Sequence, residues 1–277
     1  MKTILIPTDF SENSWNALVY ALKFFRDYEC IVYILHVGSI AQSSTLGNSF
    51  AFPNEPISPD LRKKLNALFQ RIRKLPKNKN HRFIALQEYG NFVNALRKVV
   101  SDKKIDLIVM GTKGASGIKK TVVGSNTGDV ITKIQCNVLV IPEKAEFNLI
   151  QEVTFATDYN LFYTNAILEC LTDILNTTNA QLQVLQILKS GQTILKNQKE
   201  NKDFLFNFLN ETVPKITSHE ITNENTIKGI QEFMAEHNIG LLIMAAKNLN
   251  FLQQLFFDST IEKLSFQIKI PLWVLHE

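Results

Sequence analysis

Four glycines fall within one stretch, residues 110–127 (MGTKGASGIKKTVVGSNT), the last followed directly by Ser125. Gly111 and Gly114 are separated by two residues, and nine more separate Gly114 from the pair Gly124-Ser125. Glycine lets a backbone approach a ligand closely and adopt left-handed dihedrals. Gly111 and Gly114 would let the chain pass close to a sugar and its phosphates. Gly124, Ser125 and Asn126 would present unpaired amides at the start of a helix, where amides and dipole both favour an anion. The dipole contributes only about 0.3–1 kcal/mol, so direct hydrogen bonds, including one from the Ser125 hydroxyl, must supply most of the grip. The chemistry that this spacing suits is the holding of a phosphorylated ligand.

The elements around the stretch place it. Residues 3–7 (TILIP) form a short apolar run of the kind buried on both faces of a sheet. Ser11 is a candidate N-cap, and Trp15, Leu18, Leu22 and Phe25 recur at helical spacing. Residues 31–37 read as a second strand, and Gly38 to Pro59 as a long polar loop. Leu61, Leu65, Leu68 and Ile72 mark a helix, 82–88 a third strand, Phe92 to Val100 a helix, 105–110 a fourth strand, 125–134 a helix and 137–141 a fifth strand. Alternating strands and helices imply a parallel sheet covered on both faces. In a doubly wound sheet, ligands bind outside the carboxyl ends of the strands at a switch point. With order 3-2-1-4-5, that crevice collects Thr8-Asp9 and Met110-Gly111. Asp9 is then positioned to accept hydrogen bonds from ribose hydroxyls, and Val37 to flank a base.

The pattern then restarts. Residues 153–158 (VTFATD) echo 4–9 (ILIPTD), 239–244 echo 105–110, and PLWVLHE at the end echoes NVLVIPE at 137–143. The last two matches share an offset of 134 residues, a register too long for chance similarity between strands. The remaining elements of the second copy read as strands at 182–188 and near 216–221 and helices at 201–213 and 226–237. The boundary falls at 143–151, giving domains 1–143 and 151–277. The short apolar segments 138–141 and 272–275 are expected to pair as edge strands and join the copies into a pseudo-dimer, since bare edges of this kind invite aggregation.

Composition narrows the function. Hydrophobic residues are 45% of the 277 and charged residues 20%, ordinary for a globular chain with two cores. A net charge of +4 without a polybasic run argues against a nucleic-acid or membrane partner. Three widely spaced cysteines suggest neither a disulfide framework nor a metal knuckle. The five histidines show no paired spacing for a metal or for catalysis; His36 reads as a satisfied polar neighbour of the crevice. No signal or membrane-spanning run occurs, so a cytoplasmic location is expected.

The spacing G-x2-G-x9-G-[ST] behind a fourth strand, with PTD near the N-terminus, resembles the universal stress protein family, and the likeness extends over the whole chain as a tandem pair. The resemblance implies two five-stranded, Rossmann-like parallel α/β sandwiches and an adenine-nucleotide ligand, ATP or a relative, held in some members with Mg or Mn. It places Asp9 and Gly111 at the ribose, and Pro7, Thr8, Val37 and Met110 around the adenine. Gly114, Gly124, Ser125 and Asn126 fall at the phosphates. It also implies dimerisation through the fifth strand, which tandem members satisfy within one chain; a further homodimer is left open by the sequence.

The second copy departs from that pattern. Gly111 becomes Ala245, Gly114 becomes Asn248 and Gly124 becomes Asp258, while Ser259 and Asp158 remain. A carboxylate where phosphate should lie repels it by about 1 kcal/mol in water and by several in a partly buried site. No triphosphate site is expected there. Met244, Trp273 and the run 251–257 fit a core or interface role better than an apolar ligand pocket. Three function classes follow: a nucleotide-binding regulatory or stress-response protein, a slow ATPase, and a scaffold without nucleotide. No Walker motif, no GxGxxG after the first strand and no evident catalytic base accompany the glycines, which disfavours the enzyme.

Overall fold

The computed structural model describes residues 1–38, 58–112, 125–246 and 270–277, with Ser125 by its backbone alone. Ten strands form one sheet: β1 Lys2–Pro7, β2 Cys30–Gly38, β3 His81–Tyr89, β4 Leu107–Gly111, β5 Asn137–Ile141, β6 Glu152–Ala156, β7 Gln181–Leu188, β8 Ile216–Thr222, β9 Leu241–Ala245 and β10 Leu272–Leu275. The helices are α1 Glu12–Phe24, α2 Pro59–Arg73, α3 Phe92–Lys103, α4 Ser125–Lys133, α5 Asn165–Thr178, α6 Lys196–Thr212 and α7 Thr226–Glu236.

The strand order is β3-β2-β1-β4-β5-β10-β9-β6-β7-β8. Each half therefore has the expected order 3-2-1-4-5, and its strands run parallel. The halves meet where β5 and β10 pair antiparallel, Leu272 against Val140, Trp273 against Leu139 and Val274 against Val138. The two sandwiches thus share a single continuous sheet.

Local sequence explains the elements. The Ser11 side chain caps α1 by accepting the Ser14 N–H, and Ser58 with Pro59 begins α2 in the same way. Asn91 and Asn225 cap the corresponding helices α3 and α7. Strand β4 begins at Leu107 rather than Ile105, because the Ile105 N–H closes the end of α3 on the Val100 carbonyl past a left-handed Lys104. Helix α6 begins at Lys196, ahead of the expected 201; its buried stripe is Leu205 and Leu209, and Phe204 is exposed, stacked on Phe162.

Each face of the sheet carries a core that runs across both halves. One is built on Ile4, Ile34, Phe155, Val184 and Trp273, the other on Leu5, Ile108, Val138, Leu185 and Val274. At the seam, the Trp273 ring lies 5.7 Å from Phe24 and 6.3 Å from Phe25 of the first half. Phe147, in the connection between the halves, packs edge-on against Tyr20 at 5.3 Å. Met110, Met244 and Trp273 are all buried, as a core or interface role requires.

Candidate crevice at the carboxyl ends of β1 and β4

Strands β1 and β4 are neighbours, with Ile4 beside Leu107 and Leu5 beside Ile108. Carrying that register forward sets Pro7 beside Met110 and Thr8 beside Gly111. Pro7 also pairs with Leu35, so Val37 lies level with Asp9. The fold thereby gathers Pro7, Thr8, Asp9, Val37, Met110 and Gly111 at one end of three adjacent strands. Pro7, Thr8 and Met110 are buried, and Asp9, Val37 and Gly111 half-buried. Helix α4 starts at Ser125, with Asn126 exposed in its first turn. Gly114 and Gly124 lie outside the described residues.

The turn after β1 is held by its own side chains. The Asp9 carboxylate accepts the Ser11 N–H at 3.0 Å and the Ser11 hydroxyl at 2.6 Å. Phe10 takes a left-handed φ of 64°, uncommon for a bulky residue. Its N–H donates to Thr8 Oγ1 at 3.0 Å. Ser14 gives its hydrogen to the Ser11 carbonyl, so the Thr8 hydroxyl donates to Ser14 across 3.1 Å. His36 Nδ1 donates to the Thr8 carbonyl at 2.9 Å. This is the satisfied polar neighbour expected of His36. The carboxylate of Asp9 is thus fixed in direction at the mouth of the crevice.

Two residues in the crevice carry no signal in the sequence spacing. The hydroxyl of Thr127, in the first turn of α4, donates to the Gly111 carbonyl at 3.0 Å and ties the helix start to the end of β4. Asn13, in the first turn of α1, lies against Gly111: a methyl group there would meet its Cγ, Oδ1 and Nδ2 at 2.7 Å. Gly111 is therefore needed for close approach of a neighbouring side chain. Gly111→Ala should cost about 1–3 kcal/mol through overpacking, and adding Asn13→Ala should recover most of that loss. A double-mutant cycle by chemical denaturation measures the coupling; additive effects would show that the two residues do not share this space.

The second half solves the same corner differently. Tyr159, counterpart of Phe10, has the same left-handed backbone with φ 58°. Tyr163 replaces Ser14, its phenol 2.8 Å from Thr157 Oγ1. The first turn of the helix is unwound, so α5 starts only at Asn165 and Phe162, counterpart of Asn13, turns outward at 69% exposure. A methyl now stands at Ala245, 1% exposed. Helix α6 straps the loop: Gln198 donates to the Asp158 carbonyl at 2.7 Å and Asn201 to the Tyr159 carbonyl at 3.0 Å. What remains between Ala156, Thr157, Leu185, Ile187, Thr226 and Ile230 is a cavity of about 30 Å³, room for roughly one water. Asn248, Asp258, Ser259 and the run 251–257 lie outside the described residues.

Known proteins share this architecture. The sequence model of the universal stress protein family matches residues 1–142. The chain belongs to the universal stress protein family. It is 29% identical over 140 residues to universal stress protein MJ0531 of Methanocaldococcus jannaschii, covering 50% of this chain and 81% of that protein. It is 24% identical over 143 residues to universal stress protein YxiE of Bacillus subtilis, covering 50% of this chain and 97% of that protein. A universal stress protein from Archaeoglobus fulgidus has the same fold along nearly the whole length: TM-score 0.67 at 18% identity, covering 99% of this chain and 96% of that one. Among the described residues, no helix is long and apolar enough to cross a membrane, and no group of three or more His, Cys, Asp or Glu could hold a metal ion.

Proposed function

We propose that the chain is an adenine-nucleotide-binding regulatory protein of the stress response, with one nucleotide site per chain, in the first half. The observation that carries this reading is the convergence of an oriented Asp9 carboxylate, the half-buried Gly111 and the start of α4 at the carboxyl ends of adjacent strands β1 and β4. In this reading residues 1–143 form the nucleotide domain. Pro7, Thr8, Val37 and Met110 line the adenine, and Asp9 and Gly111 hold the ribose. Gly114, Gly124, Ser125 and Asn126 hold the phosphates, with Mg or Mn as their counterion. Residues 151–277 form a degenerate copy whose role is to complete the sheet; the small cavity among its described residues and the strapped Asp158 loop support that reading. The bound nucleotide sets which partners the protein engages, and the site works in the cytoplasm.

Gly124→Asp, which copies Asp258, tests the assignment. Like-charge repulsion of one to several kcal/mol should weaken ATP binding about tenfold or more, each tenfold being about 1.4 kcal/mol, while the melting temperature hardly moves. Titration calorimetry of both proteins should give one site per chain in the parent. Equal affinity in the variant refutes the phosphate assignment. Phosphate release above background would make the protein an ATPase, and absence of any nucleotide binding would leave it a scaffold.

A further inference from the structure

The net charge of +4 conceals an asymmetry. Residues 1–143 hold 20 Lys and Arg against 11 Asp and Glu, whereas residues 144–277 hold 10 against 15. Within the first half, residues 62–82 carry nine cations and no carboxylate. The fold gathers them on one outer edge, formed by α2, the turn after it and β3, the terminal strand of the sheet.

Helix α2 buries Leu61, Leu65, Leu68 and Ile72. Its opposite face carries Arg62 and Lys63 at one end and Arg73 and Lys74 at the other, all exposed. Eleven residues separate the two pairs, about 16 Å along a helix. Exposed Asn66, Ala67 and Gln70 lie between them. Lys77 and Lys79 in the turn and Arg82 on β3 extend the patch and are exposed as well. Lys64 is paired with Asp60 and Arg71 with Glu12. The other seven cations make no ion pair among the described residues. Of the remaining carboxylates beside the turn, Asp27 is taken by Arg26, which leaves Glu29 as a partial counterweight.

The fold itself does not require this charge. Helix α6, the counterpart of α2, holds three cations and three carboxylates. Crowded like charges repel, so the patch opposes folding rather than assisting it. Its sign suits a polyanion. None of the exposed large apolar side chains falls within 59–82, so the face offers neither a wedge for a lipid surface nor an exposed ring for stacking single-stranded bases. An α-helix fits the major groove of B-DNA, about 12 Å wide, and the two charge pairs are set far enough apart to meet the backbone on either side. The deep, narrow major groove of duplex RNA does not admit such an approach.

We propose that the α2 edge docks on double-stranded DNA. Arg62 with Lys63 and Arg73 with Lys74 contact phosphates flanking a major groove, and Asn66, Ala67 and Gln70 face the groove. Lys77, Lys79 and Arg82 add phosphate contacts. Phosphates dominate the contact, so binding is largely independent of sequence and steeply dependent on salt.

The test uses the full chain without nucleotide, which separates it from the crevice. Anisotropy of a fluorescein-labelled DNA duplex of about twenty base pairs should rise saturably at roughly micromolar protein in low salt. With about four to seven phosphates neutralised, log affinity should fall against log salt with a slope of about −4 to −6. Arg73→Gln combined with Lys74→Gln should weaken binding about tenfold and make the slope shallower by about two, with the melting temperature unchanged. Lys196→Gln combined with Lys199→Gln on α6 should alter neither. Arg62→Gln combined with Lys63→Gln makes the same test at the other end of α2 should the first variant fold poorly. An RNA duplex of the same sequence, and vesicles of phosphatidylserine and phosphatidylcholine in equal parts, should bind several-fold more weakly. No saturable binding of DNA, an equal loss in the α6 variant, or equal binding of RNA or vesicles would overturn the proposal.

Discussion

Truncating Trp273 to alanine should lower the unfolding free energy by about 3–5 kcal/mol, the usual cost of removing a large aromatic from a core. The residue sits in β10 on the seam, hydrogen-bonded through its strand to β5 on one side and β9 on the other. Its ring packs on Phe24 and Phe25 at the end of α1, so the cavity left behind is walled by both halves. Neither wall can collapse without shifting the sheet they share, which places the expected loss toward the upper part of that range. Denaturant unfolding followed by circular dichroism reads it directly. A loss below about 1 kcal/mol would mean that the seam is not packed as described.

Acidification is the second large lever. His276 is pushed from its ordinary 6.5 down to about 4 because its ring is buried. Each pH unit of difference is worth about 1.4 kcal/mol, so this one ring contributes roughly 3 kcal/mol at neutral pH. The sign follows from proton binding. Between pH 6.5 and 4 the unfolded chain takes up a proton on this residue and the folded chain does not, so falling pH favours unfolding. The contribution is complete above 6.5, declines through that window and is gone below about 4. His219, also lowered by burial and by neighbouring His237, acts in the same direction. Stability measured from pH 7 to pH 4 should therefore fall, and His276→Leu should remove about 3 kcal/mol of the fall. A variant with the parent slope would show that the ring is not held neutral.

Much of the fold was legible because local and global signals agree. The run TILIP and the cap Ser11 each mark an element end by its own chemistry. The offset of 134 between the closing segments implied the same strand in two places, and hence the β5–β10 pairing. Boundaries failed where a neighbour overrode the periodicity: apolar Ile105 was expected in β4 but caps α3. Helix α6 starts at Lys196 rather than the expected 201, because the polar run 196–203 offers no apolar periodicity to mark its first turns. The crevice was legible as a set of strand ends, because a residue's place at the end of a strand follows from topology. The contact of Asn13 with Gly111 was not, since it depends on how α1 sits over β4, and no spacing between positions 13 and 111 encodes that distance. The unwound first turn before Asn165 was hidden for the same reason: Tyr163 reaches Thr157 only in three dimensions.

The antiparallel β5–β10 contact also changes how the protein responds to its own abundance. When two separate chains meet edge to edge, dilution pulls them apart and their shared surface is present only above a threshold amount. Here the connection through residues 142–151 tethers both edges, and the effective concentration is set by the linker rather than by expression level. A cell holding a handful of copies would thus possess the same assembled shape as one holding thousands.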